Sequence, residues 1–112
     1  MSEKSGDVAV IARLYDLILS RKGADPETSY TAKLFAKGRL KLAQKVGEEA
    51  VEAVIAASAN QRDELVGESS DLMYHLLVLW ADAGVRPDEV WAELARREGT
   101  SGVDEKKNRE KK

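Results

Sequence analysis

The pattern EExxE at Glu48, Glu49 and Glu52, followed by ExxD at Glu68 and Asp71, puts five carboxylates on two segments otherwise rich in Ala, Val, Ile and Leu. Each residue of an α-helix advances about 100°, so Glu48 and Glu52 lie about 40° apart, with Glu49 at the rim of that face. Glu68 and Asp71 are one turn apart on the next helix. If the two helices fold back as a hairpin the carboxylates meet, and at about 5 Å each pair repels by about 3 kcal/mol at an effective dielectric of about 20. Something cationic must offset that repulsion. Oxygen donors, with no cysteine and a single histidine in the chain, favour a hard divalent ion, Mg²⁺ or Mn²⁺, over zinc or copper.

The hydrophobic period is helical throughout, with no alternating strand and no internal repeat, which predicts an all-α fold. Val8, Ile11, Leu14, Tyr15 and Ile18 form the stripe of a first helix ending near Lys22 and Gly23. Pro26 and small polar residues mark a connection. A second helical stretch starts near Thr31, is interrupted by Gly38, and continues to about Ala59 along Leu40, Ala43, Val46, Ala50, Val54 and Ala57. Leu65, Leu72, Met73, Leu76, Leu77 and Trp80 define a third helix ending near Gly84, and Pro87 suits the first turn of a fourth. The expected organisation is an all-α domain over residues 1–98 and a polar, basic tail over 99–112. The third helix is apolar all round in its C-terminal half, as a central bundle helix or an interface helix is. The second stretch is narrow and alanine-rich. Four such helices underfill a core, so a homodimer is expected to complete the bundle.

A chain of 112 residues and 12.3 kDa makes one domain that buries about two-thirds of the surface its unfolded chain exposes. A net charge of −2 gives no global attraction to nucleic acid or to an anionic membrane. No apolar run approaches the roughly 20 residues of a membrane span, and MSEKSGD lacks a signal-peptide core, so a cytoplasmic setting is expected. The lack of cysteine excludes disulfides, thiolate zinc sites and a cysteine nucleophile.

Lys37, Lys41 and Lys45 precede Glu48 and Glu52 on the same helical face, so a basic stripe runs into an acidic one. That order suits a polyphosphate whose oxygens are bridged by metal ions and neutralised further along by ammonium groups. The alternative is ordinary helix pairing, in which Lys45 supports Glu48 or Glu49 and Lys37 and Lys41 face solvent. His75 lies one turn after Asp71, where a lone histidine is more often a core hydrogen-bond donor than a ligand. No Walker A loop is present to bind phosphate otherwise.

The stretches SYTAKLFAKGRLKLAQKVGEEAVEAVIAA and ELVGESSDLMYHLLVLWADAGV resemble the phosphoribosyl-ATP pyrophosphatase family, a branch of the MazG-like all-α nucleoside triphosphate pyrophosphohydrolases. EExxE with ExxD marks the superfamily, whereas SYTAK, KVGEEAVE and DLMYH mark the phosphoribosyl-ATP branch. Gly67, Ser69 and Ser70 depart from the acidic or alanine residues expected there and weaken helix propensity slightly. The resemblance implies Mg²⁺-dependent hydrolysis of phosphoribosyl-ATP to phosphoribosyl-AMP and pyrophosphate, the second step of histidine biosynthesis. It implies metal binding by Glu48, Glu49, Glu52, Glu68 and Asp71 as a group, with one of the EExxE glutamates orienting or deprotonating the water. Lys41 and Lys45, and further out Lys33 and Lys37, would hold phosphate. Ser29, Tyr30 and Thr31 either donate hydrogen bonds to substrate at a helix N-terminus or form an ordinary cap. A house-cleaning pyrophosphohydrolase acting on free nucleoside triphosphates would use the same carboxylates, and a non-catalytic helical module would use them to hold a structural cation.

Overall fold

The structure, a computed structural model, describes residues 6–98; the basic tail expected from residue 99 lies outside the described residues. Five helices run in order: α1 (Ala9–Ser20), α2 (Tyr30–Lys37), α3 (Arg39–Ser58), α4 (Arg62–Ala83) and α5 (Pro87–Arg97), with no strand among the described residues. The all-α expectation holds. The second helical stretch is two helices rather than one, because Gly38 sits at φ 90°, ψ 165°, a conformation that L side chains rarely adopt and that ends the α2 hydrogen-bond ladder. α2 itself is started by Ser29, whose hydroxyl accepts the Ala32 N–H at 3.1 Å.

α4 is the central element. It folds back on α3 through the short turn after Ala59 and also packs against α1 and α2. Its largely apolar C-terminal half supplies Leu77, Val78 and Ala81 to a core completed by Tyr15, Ile18, Leu34 and Leu42. The end of α4 is pinned from three sides. Gly84 takes the left-handed conformation at φ 77° that closes the helix. The Tyr15 hydroxyl donates to the Val85 carbonyl at 2.7 Å, and Arg39 donates to the Asp82 carboxylate at 2.5 Å and to its carbonyl at 3.0 Å. Pro87 opens α5 as expected, and Trp91 packs edge-on against Trp80, centroids 6.2 Å apart. Arg96 and Arg97 both donate to Glu93 on α5 and lower its carboxyl from 4.5 to about 2.

One face differs from expectation. The stripe predicted to be core on α3 ran through Leu40 and Val54, yet Leu40 is 86% and Val54 62% exposed. The face turned to α4 keeps Val46 of that stripe but otherwise carries Leu42, Glu49, Ala53 and Ala56, all buried or half-buried. α3 is apolar on two sides, and periodicity alone gives no preference between them. The side carrying Leu42 and the inward Glu49 packs on α4, which leaves Val51, Val54 and Ile55 as an exposed apolar patch.

Leu77 is fully buried at the centre of this arrangement. Leu77→Ala is expected to cost about 2–5 kcal/mol by urea denaturation, whereas Val8→Ala, at a highly exposed position, should stay within about 0.5 kcal/mol of wild type.

Candidate metal and phosphate site

The α3–α4 packing brings Glu49, Glu68 and Asp71 together, with one carboxylate oxygen from each lying within 4.8 Å of the others. Glu49 enters from α3 because it lies on the stripe that faces α4, and its side chain is only 14% exposed. Glu68 is half-buried and Asp71 is exposed at the rim. Burial pushes the Glu68 carboxyl above its ordinary value of 4.5, and the charges of Glu52, Asp71, Glu49 and Glu64 push it further in the same direction. Glu52 therefore stands close enough to act on the cluster. Glu48 does not join it: its carboxylate is exposed, accepts from the Gln44 amide at 2.9 Å and faces a different space.

That space is a groove of about 470 Å³ in the corner between α2 and α3, lined by Lys37, Lys41, Gln44, Lys45 and Glu48 over a floor of Leu34 and Leu42. The three lysines expected to form one stripe thus share one concavity. Lys45 bridges groove and cluster, since its ammonium lies 3.7 Å from the Glu49 carboxylate. Lys33 is exposed on α2 and is not part of the groove lining.

Ser29, Tyr30 and Thr31 divide. Ser29 is the helix cap already described. The Thr31 hydroxyl is hydrogen-bonded to the Tyr74 hydroxyl. Tyr30 stacks on Tyr74, and its hydroxyl lies 3.3 Å from His75 Nε2. His75 is 6% exposed, and its Nδ1 donates to the Asp71 carbonyl at 2.7 Å. Tyr74 and Gln44 were not singled out from the sequence. The first lay in view within DLMYH, and the second, four residues before Glu48, is a helical hydrogen-bond spacing that carried no charge to draw notice.

Three oxygen donors from two rigid helices, one of them with a carboxyl resisting ionisation, are chemically suited to a hard divalent cation, and the adjoining basic groove is suited to phosphate. The family model for phosphoribosyl-ATP pyrophosphohydrolase matches residues 11–98. The chain belongs to the phosphoribosyl-ATP pyrophosphohydrolase family. It is 68% identical to the phosphoribosyl-ATP pyrophosphatase of Paramagnetospirillum magneticum over 106 residues, covering 95% of this chain and 97% of that one. It is 60% identical to that of Azospirillum brasilense, covering 97% and 98%, and 61% identical to that of Rhodospirillum rubrum, covering 91% and 87%. The reading of the chain as a hydrolase of the histidine-biosynthetic family, drawn from SYTAK, KVGEEAVE and DLMYH, stands on that membership.

A raised carboxyl value carries a sign for stability. The metal-free folded protein holds the Glu68 proton more tightly than the unfolded chain does, so stability falls as pH rises through the ordinary carboxylate range to the raised value, and the loss persists above it. In EDTA at pH 7, Glu68→Gln is therefore expected to melt at a higher temperature than wild type. The difference should vanish once pH falls below the ordinary carboxylate value. A lower melting temperature for the variant at pH 7 would contradict this.

Proposed function

We propose that the chain hydrolyses the α–β anhydride of phosphoribosyl-ATP to phosphoribosyl-AMP and pyrophosphate, with Mg²⁺ held by Glu49, Glu68 and Asp71. The observation that carries this reading is the convergence of those three carboxylates beside a groove lined by three lysines. Glu49, Glu68 and Asp71 would hold Mg²⁺, or Mn²⁺ in its place, which would supply charge neutralisation for phosphate oxygens and Lewis acidity. Lys37, Lys41 and Lys45 bind the phosphates that lie along the groove. Lys45 has a double task, pairing with Glu49 and turning to phosphate when substrate enters. Glu52, close to Glu68 but outside the tight trio, orients the attacking water and accepts its proton. Glu48, held by Gln44 at the groove wall, shapes the phosphate channel. No described helix is long and apolar enough to cross a membrane, and we place the enzyme in the cytoplasm with its pathway.

The two glutamates of the motif then separate by kinetics. Glu49→Gln should raise the Mg²⁺ concentration for half-maximal rate by about tenfold or more, the equivalent of losing one charge-assisted contact. Glu52→Gln should lower kcat by about 10²–10⁴-fold with little change in that Mg²⁺ dependence. Pyrophosphate release from phosphoribosyl-ATP across a Mg²⁺ titration measures both, and wild-type kcat in Glu52→Gln would remove Glu52 from the chemistry. Comparison of the wild-type rate with ATP and dUTP tests the substrate; equal turnover of the free triphosphates would favour the house-cleaning reading.

A homodimer completes the proposal. Val51, Val54 and Ile55 form a contiguous exposed patch on the side of α3 opposite its contact with α4, and few large side chains are fully buried within one chain. A second copy covering that patch supplies the missing burial. Sedimentation at micromolar concentration should give a dimer of the 12.3 kDa chain, and Val54→Asp should shift it to monomer. A monomeric wild type would overturn the assignment.

A further inference from the structure

We propose that the exposed ring of Tyr30 is the stacking platform for the purine base of the substrate, and that buried His75 is the positioning residue that holds it. The inference rests on the pyrophosphohydrolase reading above and extends it to the recognition of the base.

The hydrogen bonds of His75 decide its role. A carbonyl oxygen can only accept, so the 2.7 Å contact with Asp71 puts the proton on Nδ1. In the neutral imidazole Nε2 is then an acceptor, and the group facing it is the Tyr30 hydroxyl at 3.3 Å. Both nitrogens are engaged inside the fold. The imidazole has no lone pair left for a metal ion, and its position fixes Tyr30 instead.

Tyr30 is held on several sides. Its hydroxyl meets His75, one face stacks on Tyr74 with an interplanar angle of 19°, and Tyr74 stands edge-on to His75 with centroids 5.3 Å apart. The Tyr74 hydroxyl is in turn tied to Thr31, and the Ser29 cap fixes the backbone one residue before Tyr30. Despite these contacts Tyr30 remains 54% exposed. A ring so constrained, with its polar atom already used, offers a flat π-face and little else. Two hydrogen bonds and the width of one imidazole separate that ring from the main chain of Asp71, a member of the acidic cluster. A nucleotide whose α–β anhydride lies at the cluster carries its base one ribose away, on a scale that a ring linked to Asp71 through His75 can serve.

The experiment uses full-length protein and three probes: phosphoribosyl-ATP for turnover, phosphoribosyl-AMP for calorimetric binding, and inorganic tripolyphosphate with Mg²⁺ as an inhibitor lacking a base. Tyr30→Ala should raise KM and the phosphoribosyl-AMP Kd by about tenfold or more, while the tripolyphosphate inhibition constant stays within about threefold of wild type. Tyr30→Phe, which keeps the ring but loses the hydroxyl that meets His75, should recover only part of that loss, and the part not recovered measures the positioning by His75; full recovery would remove His75 from that role. An unchanged Kd in Tyr30→Ala overturns the platform. Equal weakening of tripolyphosphate also overturns it, by showing that Tyr30 supports the acidic cluster rather than the base. Absence of turnover by the wild type would sink the pyrophosphohydrolase reading alone, since phosphoribosyl-AMP has no scissile anhydride and its binding still reports on Tyr30.

Discussion

Packing α3 against α4 brings one carboxylate oxygen each of Glu49, Glu68 and Asp71 within 4.8 Å of the others, and this repulsion must be carried by the cohesion of the rest of the helix pair. α4 is divided to meet it. Its C-terminal half carries Leu77, Val78 and Ala81, each at most 2% exposed, and this cohesive half holds the helix in place while the N-terminal half presents acids. The Arg39 contacts to Asp82, the Tyr15 bond to Val85 and the Gly84 cap all fall at the cohesive end. On α3, Lys45 partly neutralises Glu49 across one helical turn. Glu68, pressed by burial and by Glu52, keeps its proton more readily than an ordinary carboxyl. The same burial and neighbouring charges that hold the Glu68 proton are ones a divalent cation would offset, so an ion bound among these carboxylates would stabilise the fold as it binds.

α2 is only eight residues long, yet it joins both flanks of the acidic cluster. Ala32 and Leu34 bury its inner side against the core. Its first turn carries Tyr30 and Thr31 to the aromatic side chains of α4, and its last turn carries Lys37 to the groove on the other side. A rigid short helix with two anchored ends keeps the proposed base platform and the proposed phosphate groove in a fixed relation. Substrates with a different base-to-phosphate span would satisfy one end or the other, and that geometric restraint is a source of specificity independent of any single contact.

The helical class, the turn at Gly84 and the start of α5 at Pro87 were legible because they follow local rules: hydrophobic period, a glycine that accepts positive φ, and a proline that needs no N–H. The acidic pairing was legible because EExxE and ExxD lie on helices joined by a short connection. What was not legible is which side of α3 turns inward. Leu40, Ala43, Val46, Ala50, Val54 and Ala57 make as good a stripe as Leu42, Ala53 and Ala56 with the same Val46, and the choice is tertiary. That choice separates Glu49, which enters the cluster, from Glu48, which faces the lysines one position away. Adjacent residues on a helix differ by about 100°, so an error in the inward face exchanges their surroundings. Tyr74 escaped notice for a related reason: its partners Tyr30 and Thr31 come from a separate helix more than forty residues earlier.

The break at Gly38 gathers a charge stripe into one groove. Had α2 and α3 formed one continuous helix, Lys37, Lys41 and Lys45 would project from a convex cylinder, each surrounded by water and separated from its neighbours by a turn. Exposed charges in that setting hold a phosphate weakly, because solvent and salt screen them. With φ at 90°, Gly38 lets α2 leave the α3 axis, and Arg39, the next residue, fastens the start of α3 to Asp82. The three lysines then line the two walls of one corner above the apolar floor of Leu34 and Leu42. Low-polarity material beneath and converging ammonium groups around a cavity of about 470 Å³ raise the local positive potential where a triphosphate would extend away from the carboxylates. The same lysines that look like routine helix pairing in one dimension therefore share one concavity because of one backbone dihedral, and the value of that dihedral explains why a glycine occupies the position.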